Sequence, residues 1–287
     1  MKPLKIGDCT ITSIMEWTGP YAEPAKLLPD STPAAMERHR AWLGPVHWDP
    51  GTGLFVMAFQ SFVIQTPRRT ILVDTCIGED KERPARPNWH RQKWPWLDNL
   101  RAAGVTPEQI DLVLCTHLHV DHVGWNTRLV NGRWVPTFPN ARYVIARQEY
   151  EDLIANPHPA GPIYEDSVLP VVEAGQADFV ETNHEIDKGI WLEHTPGHTV
   201  GHVCIHVESQ GVHAIFVGDM MHHPMQVPNP TWSSGFCRDP KQSAKTRVGY
   251  LERHVDTANV LIPAHFAGAT AGRVRHAHDH FTFDWCD

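Results

Sequence analysis

The sequence has little positive charge and no long apolar run. Its 287 residues include 25 Lys and Arg against 33 Asp and Glu, a net charge of −8. Proteins that bind nucleic acid need a basic surface, so we expect no nucleic-acid partner. No run of about eighteen apolar residues occurs, and the first residues lack the apolar stretch of a signal peptide. We therefore expect no membrane association and a cytoplasmic location.

Cysteine is also sparse, with six residues and no Cys-x-x-Cys pair. A disulfide framework or a structural zinc ribbon needs cysteines at short, paired spacing, so we expect free thiols that are mostly buried. Histidine is the opposite case, because its 20 residues nearly match the combined number of Lys and Arg. Imidazole is the commonest metal ligand and titrates near neutral pH. The positions of the histidines are therefore the main guide to function.

Strand and helix signals alternate along the chain. Residues 4–16 predict a half-buried strand, and residues 55–65 and 70–74 predict a hairpin around a proline-containing turn. A helix is expected at 240–255. This alternation favours an α/β fold in which layered sheets are flanked by helices.

Residues 17–53 are rich in Pro, Gly and Trp and include a predicted helix at 34–43. The composition is typical of an ordered loop rather than a linker. The segment is expected to act as a lid over a pocket or as a subunit contact, and the sequence does not choose between the two. No composition break or internal repeat divides the chain, so we predict a single domain over residues 1–287.

The densest group of chemistry-bearing residues follows a short apolar run at 111–115. It reads His117-x-His119-x-Asp121-His122, four ligand-type side chains within six residues. An irregular loop at the end of a strand can point alternate side chains at one ion while their neighbours reach a second. Imidazole and carboxylate without thiolate fit a hydrolytic metal site better than a structural one. The competing interpretation is a histidine-rich loop that arose by chance.

Three later segments also consist of a β run that delivers a polar side chain into a turn. Residues 193–202 read Glu-His-Thr-Pro-Gly-His-Thr-Val-Gly-His, residues 216–219 end in Gly-Asp, and residues 261–265 end in Ala-His. The metallo-β-lactamase superfamily carries an HxHxDH loop, a TPGHTxGH segment, a Gly-Asp after a strand and a final His, in that order. The chain resembles this superfamily in all four segments and in the hairpin at 55–74.

The resemblance implies an αββα sandwich of the metallo-β-lactamase type with two divalent metal ions at one edge of the sheets. The ligands that it implies are His117, His119 and His198 for the first ion, Asp121, His122 and His265 for the second, and Asp219 as the bridge. Zinc is expected, with Mn, Fe and Co as alternatives, because sites of N and O donors accept all of these metals. His119 stands where the oxygen-reducing flavodiiron branch has Glu, which favours hydrolysis.

Two cations that share a water lower its pKa towards neutrality and polarise the bond that breaks. Asp121 is the predicted catalytic residue that orients the metal-bridging hydroxide and passes its proton to the leaving oxygen. This is a hypothesis based on its position between His119 and His122.

Three further features have a structural and a functional interpretation. Asp74 ends the hairpin strand and is either a hydrogen-bond partner of a ligating imidazole or a plain turn residue. His202 is expected to be structural or to support a ligand, rather than to bind metal directly. The sequence His276-Ala-His278-Asp-His280 is similar to the main cluster but predicts a surface strand or tail.

The side chains around the ligand segments bear on the substrate. The predicted substrate pocket consists of Trp125, Met221, His222 and Phe266. Such a pocket suits a neutral ester or lactone, whereas the alternative for its apolar members is ordinary core packing.

The stretch after Asp219 resembles the branch with quorum-quenching lactonases and methyl-parathion-hydrolase-like enzymes. Many acyl-homoserine lactonases have Tyr where this chain has His222. We predict that His222 is catalytic, because its ring can donate a hydrogen bond to a carbonyl or leaving oxygen.

These observations predict a dinuclear metal-dependent hydrolase that opens lactones or cleaves related carboxylic esters. The alternative is phosphotriester (organophosphate) hydrolysis in the same cleft, and a less favoured alternative is a non-catalytic metal-binding module. The expected partner is a small-molecule ester or lactone. A homodimer is expected only from the resemblance.

Overall fold

The computed structural model describes residues 1–157 and 161–286, and the chain divides into two compact units. The first unit consists of Pro3–Trp17 and Phe59–His184, and the second of Met1–Lys2, Thr18–Ala58 and Glu185–Asp287. The sequence-based prediction of one domain over 1–287 stays a prediction.

The first unit is built on a sheet of seven strands, two of which extend past the unit's boundary. They are β1 (Leu4–Ile6), β2 (Cys9–Ala22), β3 (Phe55–Gln65), β4 (Thr70–Val73), β5 (Leu112–Leu114), β8 (Arg142–Ala146) and β9 (Ala177–Val180), in that spatial order. The pair β3–β4 is antiparallel, as the hairpin signal predicts, whereas β4, β5, β8 and β9 run parallel. Parallel strands are covered on both faces, which explains the continuous apolar run of β5.

Two features of the first unit differ from the sequence-based expectation. Residues 4–16 form two strands rather than one, because Gly7 adopts a positive φ of 54° and turns the chain between β1 and β2. A further hairpin, β6 (Thr127–Val130) with β7 (Arg133–Pro136), was not predicted. Its turn is Asn131-Gly132, both at positive φ, which is a strong hairpin signal in the sequence.

The second unit is built on another seven-stranded sheet whose spatial order follows the chain. Its strands are β10 (Glu185–Asp187), β11 (Ile190–His194), β12 (Val203–Ser209), β13 (Val212–Gly218), β14 (Val260–Pro263), β15 (Gly272–Ala277) and β16 (His280–Trp285). Only the pair β13–β14 is parallel among these seven strands. The apolar face of this sheet contributes to a core that includes Ile215, Tyr250 and Leu261.

The helices are α1 (Pro24–Leu27), α2 (Pro33–Leu43), α3 (Trp96–Ala102), α4 (Arg147–Ala155), α5 (Leu169–Glu173) and α6 (Pro240–His254). The starts of α2 and α6 confirm the predicted helices, since Thr32 and Asp239 each cap a helix that has Pro at its first position. In the part of the chain that the structure describes, no helix has the length and apolar character needed to cross a bilayer. The lid or subunit-contact role of residues 17–53 stays a prediction.

The parallel strand pairs determine where each sheet can present polar side chains. In the first unit, Asp74 follows β4 and Thr116 lies just beyond β5. In the second unit, Asp219 follows β13 and His265 lies just beyond β14. The carboxyl ends of neighbouring parallel strands lie at the same edge of a sheet. Each unit therefore gathers its own polar residues at one edge.

Candidate metal centre

In the first unit, Asp74 organises the loop that carries the histidine cluster. Its Oδ1 accepts the backbone N–H of Thr116, and its Oδ2 accepts the Thr116 hydroxyl, both at 2.8 Å. The same Oδ2 lies 2.8 Å from Nδ1 of His122, which must carry the proton because a carboxylate only accepts. The structure thus gives Asp74 the role of hydrogen-bond partner to a predicted ligand.

The Thr116 hydroxyl extends this arrangement to the next imidazole. Because this hydroxyl donates to Asp74, its oxygen can accept from Nδ1 of His117 at 3.1 Å. His117 and His122 are both buried, and their ring centroids lie 4.1 Å apart. With both Nδ1 atoms engaged in hydrogen bonds, Nε2 is the nitrogen that each ring offers to a metal.

In the second unit, the Asp219 carboxylate lies among three imidazoles. Its Oδ2 is 3.2 Å from Nε2 of His198 and 3.2 Å from Nε2 of His222, and its Oδ1 is 2.9 Å from Nε2 of His265. All four side chains are buried. Nδ1 of His265 donates to the carbonyl of Ala58 at 2.9 Å, so this ring too offers Nε2.

The loop that carries His198 depends on a close backbone approach. Gly197 has a φ of +130°, and a Cβ at this position would lie 2.2 Å from the backbone nitrogen of Ser243 in the first turn of α6. The backbone N–H groups of Arg238 and Asp239 donate to the carbonyls of His198 and Gly197. This contact explains why the Pro-Gly-His segment needs its glycine.

His202 supports Asp219 instead of offering a metal ligand atom. Its Nε2 accepts the backbone N–H of Asp219 at 3.1 Å, so the proton lies on Nδ1, which donates to the Thr195 hydroxyl at 2.8 Å. Both ring nitrogens are therefore used in hydrogen bonds. This arrangement agrees with leaving His202 out of the predicted ligand set.

The donor chemistry of the predicted ligands fits divalent metal ions. The described residues contain two groups that could hold a metal ion, namely His117, His119, His198 and Asp219, and Asp121, His122 and His265. These groups include all seven predicted ligands. They combine imidazole nitrogen with carboxylate oxygen and contain no thiolate, the donor set of catalytic zinc and related metals.

The pKa values of the second unit's imidazoles depend on the balance between burial and the attraction of Asp219. Burial opposes the charged form of His198, but the adjacent Asp219 carboxylate outweighs it and raises the pKa of His198 to about 9. Burial dominates at His222 and lowers its pKa to about 4, against the attraction of the same carboxylate. Asp219 thus attracts positive charge in a buried region.

The apolar members of the predicted substrate pocket lie in the two cores. Trp125 is 1 % exposed, stacks on Trp96 at 5.3 Å and donates its indole N–H to Glu16 at 2.7 Å. Met221 and Phe266 are fully buried in the core of the second unit. The structure gives these three side chains the packing role that the sequence left open, and their part in a substrate pocket stays a prediction.

His222 differs from these three because it combines burial with an unsatisfied ring. It is 1 % exposed, and neither ring nitrogen makes a hydrogen bond to any described residue. Its Nε2 nevertheless lies close to Asp219. The predicted donor role of His222 stays a prediction.

Two residues that hold the Asp219 loop were not identified as such from the sequence. Arg247 of α6 is fully buried and donates to the carbonyls of Met220, Pro230 and Trp232 at 2.6–2.8 Å. Gln226 accepts the backbone N–H of His222 at 2.7 Å. The role of Arg247 has no local signal, because its partners lie 15 to 27 residues away. Gln226 lies only four residues from His222 and forms a capping box with His223, which is a local signal.

The six cysteines are free, as predicted; four are buried and two are partly buried. One of the latter, Cys237, has its sulfur 3.7 Å from Nδ1 of His198. The His276–His280 sequence spans the turn of the β15–β16 hairpin, where His276 and His278 are exposed and His280 is partly buried, and none of its side chains belongs to either metal-binding group.

Comparison with known proteins relates the chain to lactonases. An N-acyl homoserine lactonase of a Bacillus species is 31 % identical over 111 residues, which is 39 % of this chain and 38 % of the relative. The chain therefore spans well under half the length of this relative. Metallo-beta-lactamase domain-containing protein 1 of Xenopus laevis is 28 % identical over 218 residues, 76 % of this chain and 74 % of the relative.

Solved structures show the same fold over nearly the whole chain. Hydrolase AbOPH of the β-lactamase superfamily has a TM-score of 0.81 at 22 % identity and covers 99 % of this chain and 97 % of its own. AidC, described as a dizinc quorum-quenching lactonase, has a TM-score of 0.79 at 18 % identity, and the match covers 100 % of this chain and 97 % of AidC. The predicted αββα metallo-β-lactamase fold is confirmed. The family model of the metallo-beta-lactamase superfamily matches residues 60–265, so the chain belongs to this superfamily.

Proposed function

We propose that the protein is a dinuclear metal-dependent hydrolase that opens lactones or cleaves related carboxylic esters. The observation that carries the proposal is the complete set of seven imidazole and carboxylate donors in two groups, each of which could hold one ion. The relatedness to N-acyl homoserine lactonases supports the lactone class. Zinc is the proposed metal because this donor set suits it, and Mn, Fe and Co bind the same donors.

The ligand side chains prepare the centre by holding their rings in fixed orientations. His122 and His265 each donate from Nδ1 to a fixed oxygen, of Asp74 and of Ala58, and this leaves their Nε2 atoms for a metal. Bound divalent ions supply a water of lowered pKa and polarise the carbonyl oxygen of the substrate. Rings fixed in advance need no reorganisation when the ions bind or when charge develops on the substrate.

Asp121 is the proposed proton carrier. Water attacks the carbonyl carbon, and the bond from that carbon to the alkoxy oxygen breaks to give a hydroxy acid. The Asp121 carboxylate accepts the proton that the attacking water loses and returns it to the leaving alkoxy oxygen. An Asp121→Asn protein keeps an oxygen donor but cannot carry this proton. If it retains two metal ions and full turnover, the proton-transfer role is wrong.

The substrate class is tested by comparing metal-replete with metal-stripped protein on one panel of substrates. The panel consists of acyl-homoserine lactones, simple aliphatic lactones, aryl esters and an aryl phosphotriester, and rates are compared as kcat/KM per metal centre. The proposal predicts that lactones or carboxylic esters react fastest and that stripping abolishes turnover.

One control variant makes the result specific. The exposed His278→Ala variant removes an imidazole that lies outside both metal-binding groups, and it should behave as wild type. Leading activity on the phosphotriester would replace the proposed substrate class. Turnover that survives complete removal of metal would overturn the proposed mechanism.

A further inference from the structure

The surroundings of the Asp219 carboxylate contain one more imidazole than the predicted ligand set uses. His198 and His265 belong to that set, but Nε2 of His222 approaches Oδ2 of Asp219 as closely as Nε2 of His198 does, at 3.2 Å in both cases. The ring of His222 lies 4.8 Å from that of His198 and 6.0 Å from that of His265, measured between centroids. The second unit thus presents three imidazoles around one carboxylate.

The 3.2 Å spacing is the one expected for two ligands of a single ion. Metal–nitrogen and metal–oxygen bonds are about 2.0–2.2 Å long, so neighbouring ligand atoms at octahedral or tetrahedral angles lie about 2.8–3.6 Å apart. Both Nε2 atoms next to Oδ2 meet this spacing. Nε2 of His265 approaches the other oxygen, Oδ1, which agrees with its predicted place on the other ion.

A hydrogen bond does not account for the short distance at His222. Neither of its ring nitrogens has a hydrogen-bond partner among the described residues, although Nε2 lies 3.2 Å from Oδ2 of Asp219. The side chain is 1 % exposed, so the ring lies in a buried position. Leaving a buried polar atom unsatisfied destabilises the folded state. A ligand bond from Nε2 would remove one of these two unsatisfied atoms.

The backbone around His222 holds the ring in place. The Oε1 atom of Gln226 accepts the backbone N–H groups of His222 and His223 at 2.7 and 3.3 Å. The carboxamide nitrogen of Gln226 donates to the carbonyl of Trp232 at 2.9 Å, and Arg247 donates to the carbonyl of Met220 at 2.7 Å. A ring on so constrained a loop keeps its position relative to Asp219.

The neighbouring imidazole shows what a purely structural histidine looks like in the same loop. His223 is also fully buried, but its Nε2 donates to the carbonyl of His47 at 2.8 Å and its Nδ1 accepts the backbone N–H of Met225 at 3.3 Å. Both of its nitrogens are satisfied within the protein. The ring nitrogens of His222 lack such hydrogen-bond partners among the described residues, although His222 is the preceding residue.

We propose that His222 is an additional ligand, through Nε2, of the ion that His198 and Oδ2 of Asp219 hold. This inference rests on the proposed metal-dependent function and revises the donor role that the sequence suggests for His222. It adds one imidazole to the ligands of that ion. The ion then has a higher coordination number than the seven predicted ligands alone would give it. Fewer of its coordination positions remain for water.

Cobalt(II) is the probe, because its visible absorption bands weaken as the coordination number rises. Stripped wild-type protein, His222→Ala and His222→Gln are titrated with Co²⁺, and the stoichiometry, the affinity against a competing chelator and the absorption spectrum are measured. Gln keeps an N–H donor near the position of Nε2 but is a much weaker ligand. The exposed His278→Ala variant is the matched control.

Wild-type protein should bind two equivalents of Co²⁺. Both His222 variants should lose at least about tenfold in affinity at one of the two sites, and their visible bands should intensify. His222→Gln should not restore the wild-type spectrum, and His278→Ala should match wild type. Thermal unfolding of the stripped proteins shows whether each variant is folded, independently of metal.

Three results would overturn the inference, and they are distinguishable from one another. If wild type binds two equivalents and both His222 variants keep its affinity and spectrum, His222 is not a ligand, while the proposed function stands. If His222→Gln alone restores the wild-type spectrum and activity, hydrogen-bond donation is its role. If wild-type protein binds no Co²⁺, the proposed function fails together with the inference.

Discussion

Two histidine-rich sequences in this chain have similar composition but very different surroundings. His117-x-His119-x-Asp121-His122 follows a buried parallel strand, whereas His276-Ala-His278-Asp-His280 forms the turn of a surface hairpin. The His122 side chain is 1 % exposed and bonded to a buried carboxylate, Asp74. The His276 side chain is 59 % exposed and contacts Asp256, which is 56 % exposed.

The difference shows that donor type alone does not make a metal site. The interaction free energy of an exposed imidazole–carboxylate pair is small, because water and salt screen the attraction between the two groups. A buried pair at a strand end is fixed in orientation, and its Nε2 atom is directed by the hydrogen bond at Nδ1. Placement in the fold therefore separates the candidate centre from a sequence that only resembles it.

The largest effect should come from removing the carboxylate that lies among three imidazoles. Asp219→Ala should lower kcat/KM for the best lactone or ester by more than about 100-fold. Removing a metal ligand should reduce activity more than removing a residue that only hydrogen-bonds to a ligand, which typically costs about 10–100-fold. Metal analysis of the same sample should show fewer than two bound ions. Two retained ions with unchanged turnover would remove Asp219 from the centre.

A matched pair of substitutions compares the buried and the exposed carboxylate directly. Asp74→Asn removes the charge that orients His122 and should weaken metal binding by about 10–100-fold. Asp256→Asn changes the equivalent contact with His276 in the surface hairpin and should leave metal affinity unchanged. Chelator competition measures both constants. Equal effects of the two substitutions would contradict the account.

Burial of an imidazole should also appear in the pH dependence of stability. His254, at the end of α6 and 7 % exposed, has a pKa lowered to about 4 by burial, with neighbouring Arg253 acting in the same direction. Its pKa in the unfolded chain is near 6.5, so the unfolded state binds the extra proton between these values. Stability should fall as pH drops from about 6.5 to 4, by at most about 1.4 kcal/mol per pH unit.

The test is denaturant unfolding at several pH values for wild type and His254→Gln. Gln cannot titrate, so the stability of the variant should depend less steeply on pH over this range. Activity at pH 7 should be unaffected, because His254 belongs to neither metal-binding group. An identical pH slope in both proteins would show that His254 does not cause the loss.

The smallest effect should come from the surface hairpin. Replacing His276, His278 and His280 together by Ala should change neither the number of bound ions nor kcat/KM by more than about twofold, as expected for exposed positions. Metal analysis and steady-state kinetics check this. Loss of one metal equivalent would show that the surface sequence is a real site.

The sequence was sufficient for the fold and the ligand types because both depend on local patterns. The Thr32-Pro33 and Asp239-Pro240 pairs predict the starts of α2 and α6, and the hairpin at 55–74 forms as expected. The HxHxDH spacing predicts metal ligands, because few other functions require four such residues together, and all four residues fall in the two groups that could hold a metal ion. The hairpin at Asn131-Gly132 was predictable in principle from its turn residues.

The supporting interactions were not predictable, because they join residues far apart in the chain. Arg247 reaches the carbonyl of Met220 across 27 residues, and His265 reaches that of Ala58 across 207. A backbone carbonyl has no sequence signature. For the same reason the sequence could not show whether Trp125 packs in the core or lines a substrate pocket, because its hydrogen-bond partner Glu16 lies 109 residues away.

The central claim is that metal bound by the His and Asp groups drives ester or lactone hydrolysis. The most direct measurement is a titration of stripped protein with Zn²⁺ in which bound metal and kcat/KM for an acyl-homoserine lactone are followed together. The account predicts that activity is absent without metal and reaches its plateau at two equivalents. Full activity in the stripped protein, or a plateau with no metal bound, would contradict it.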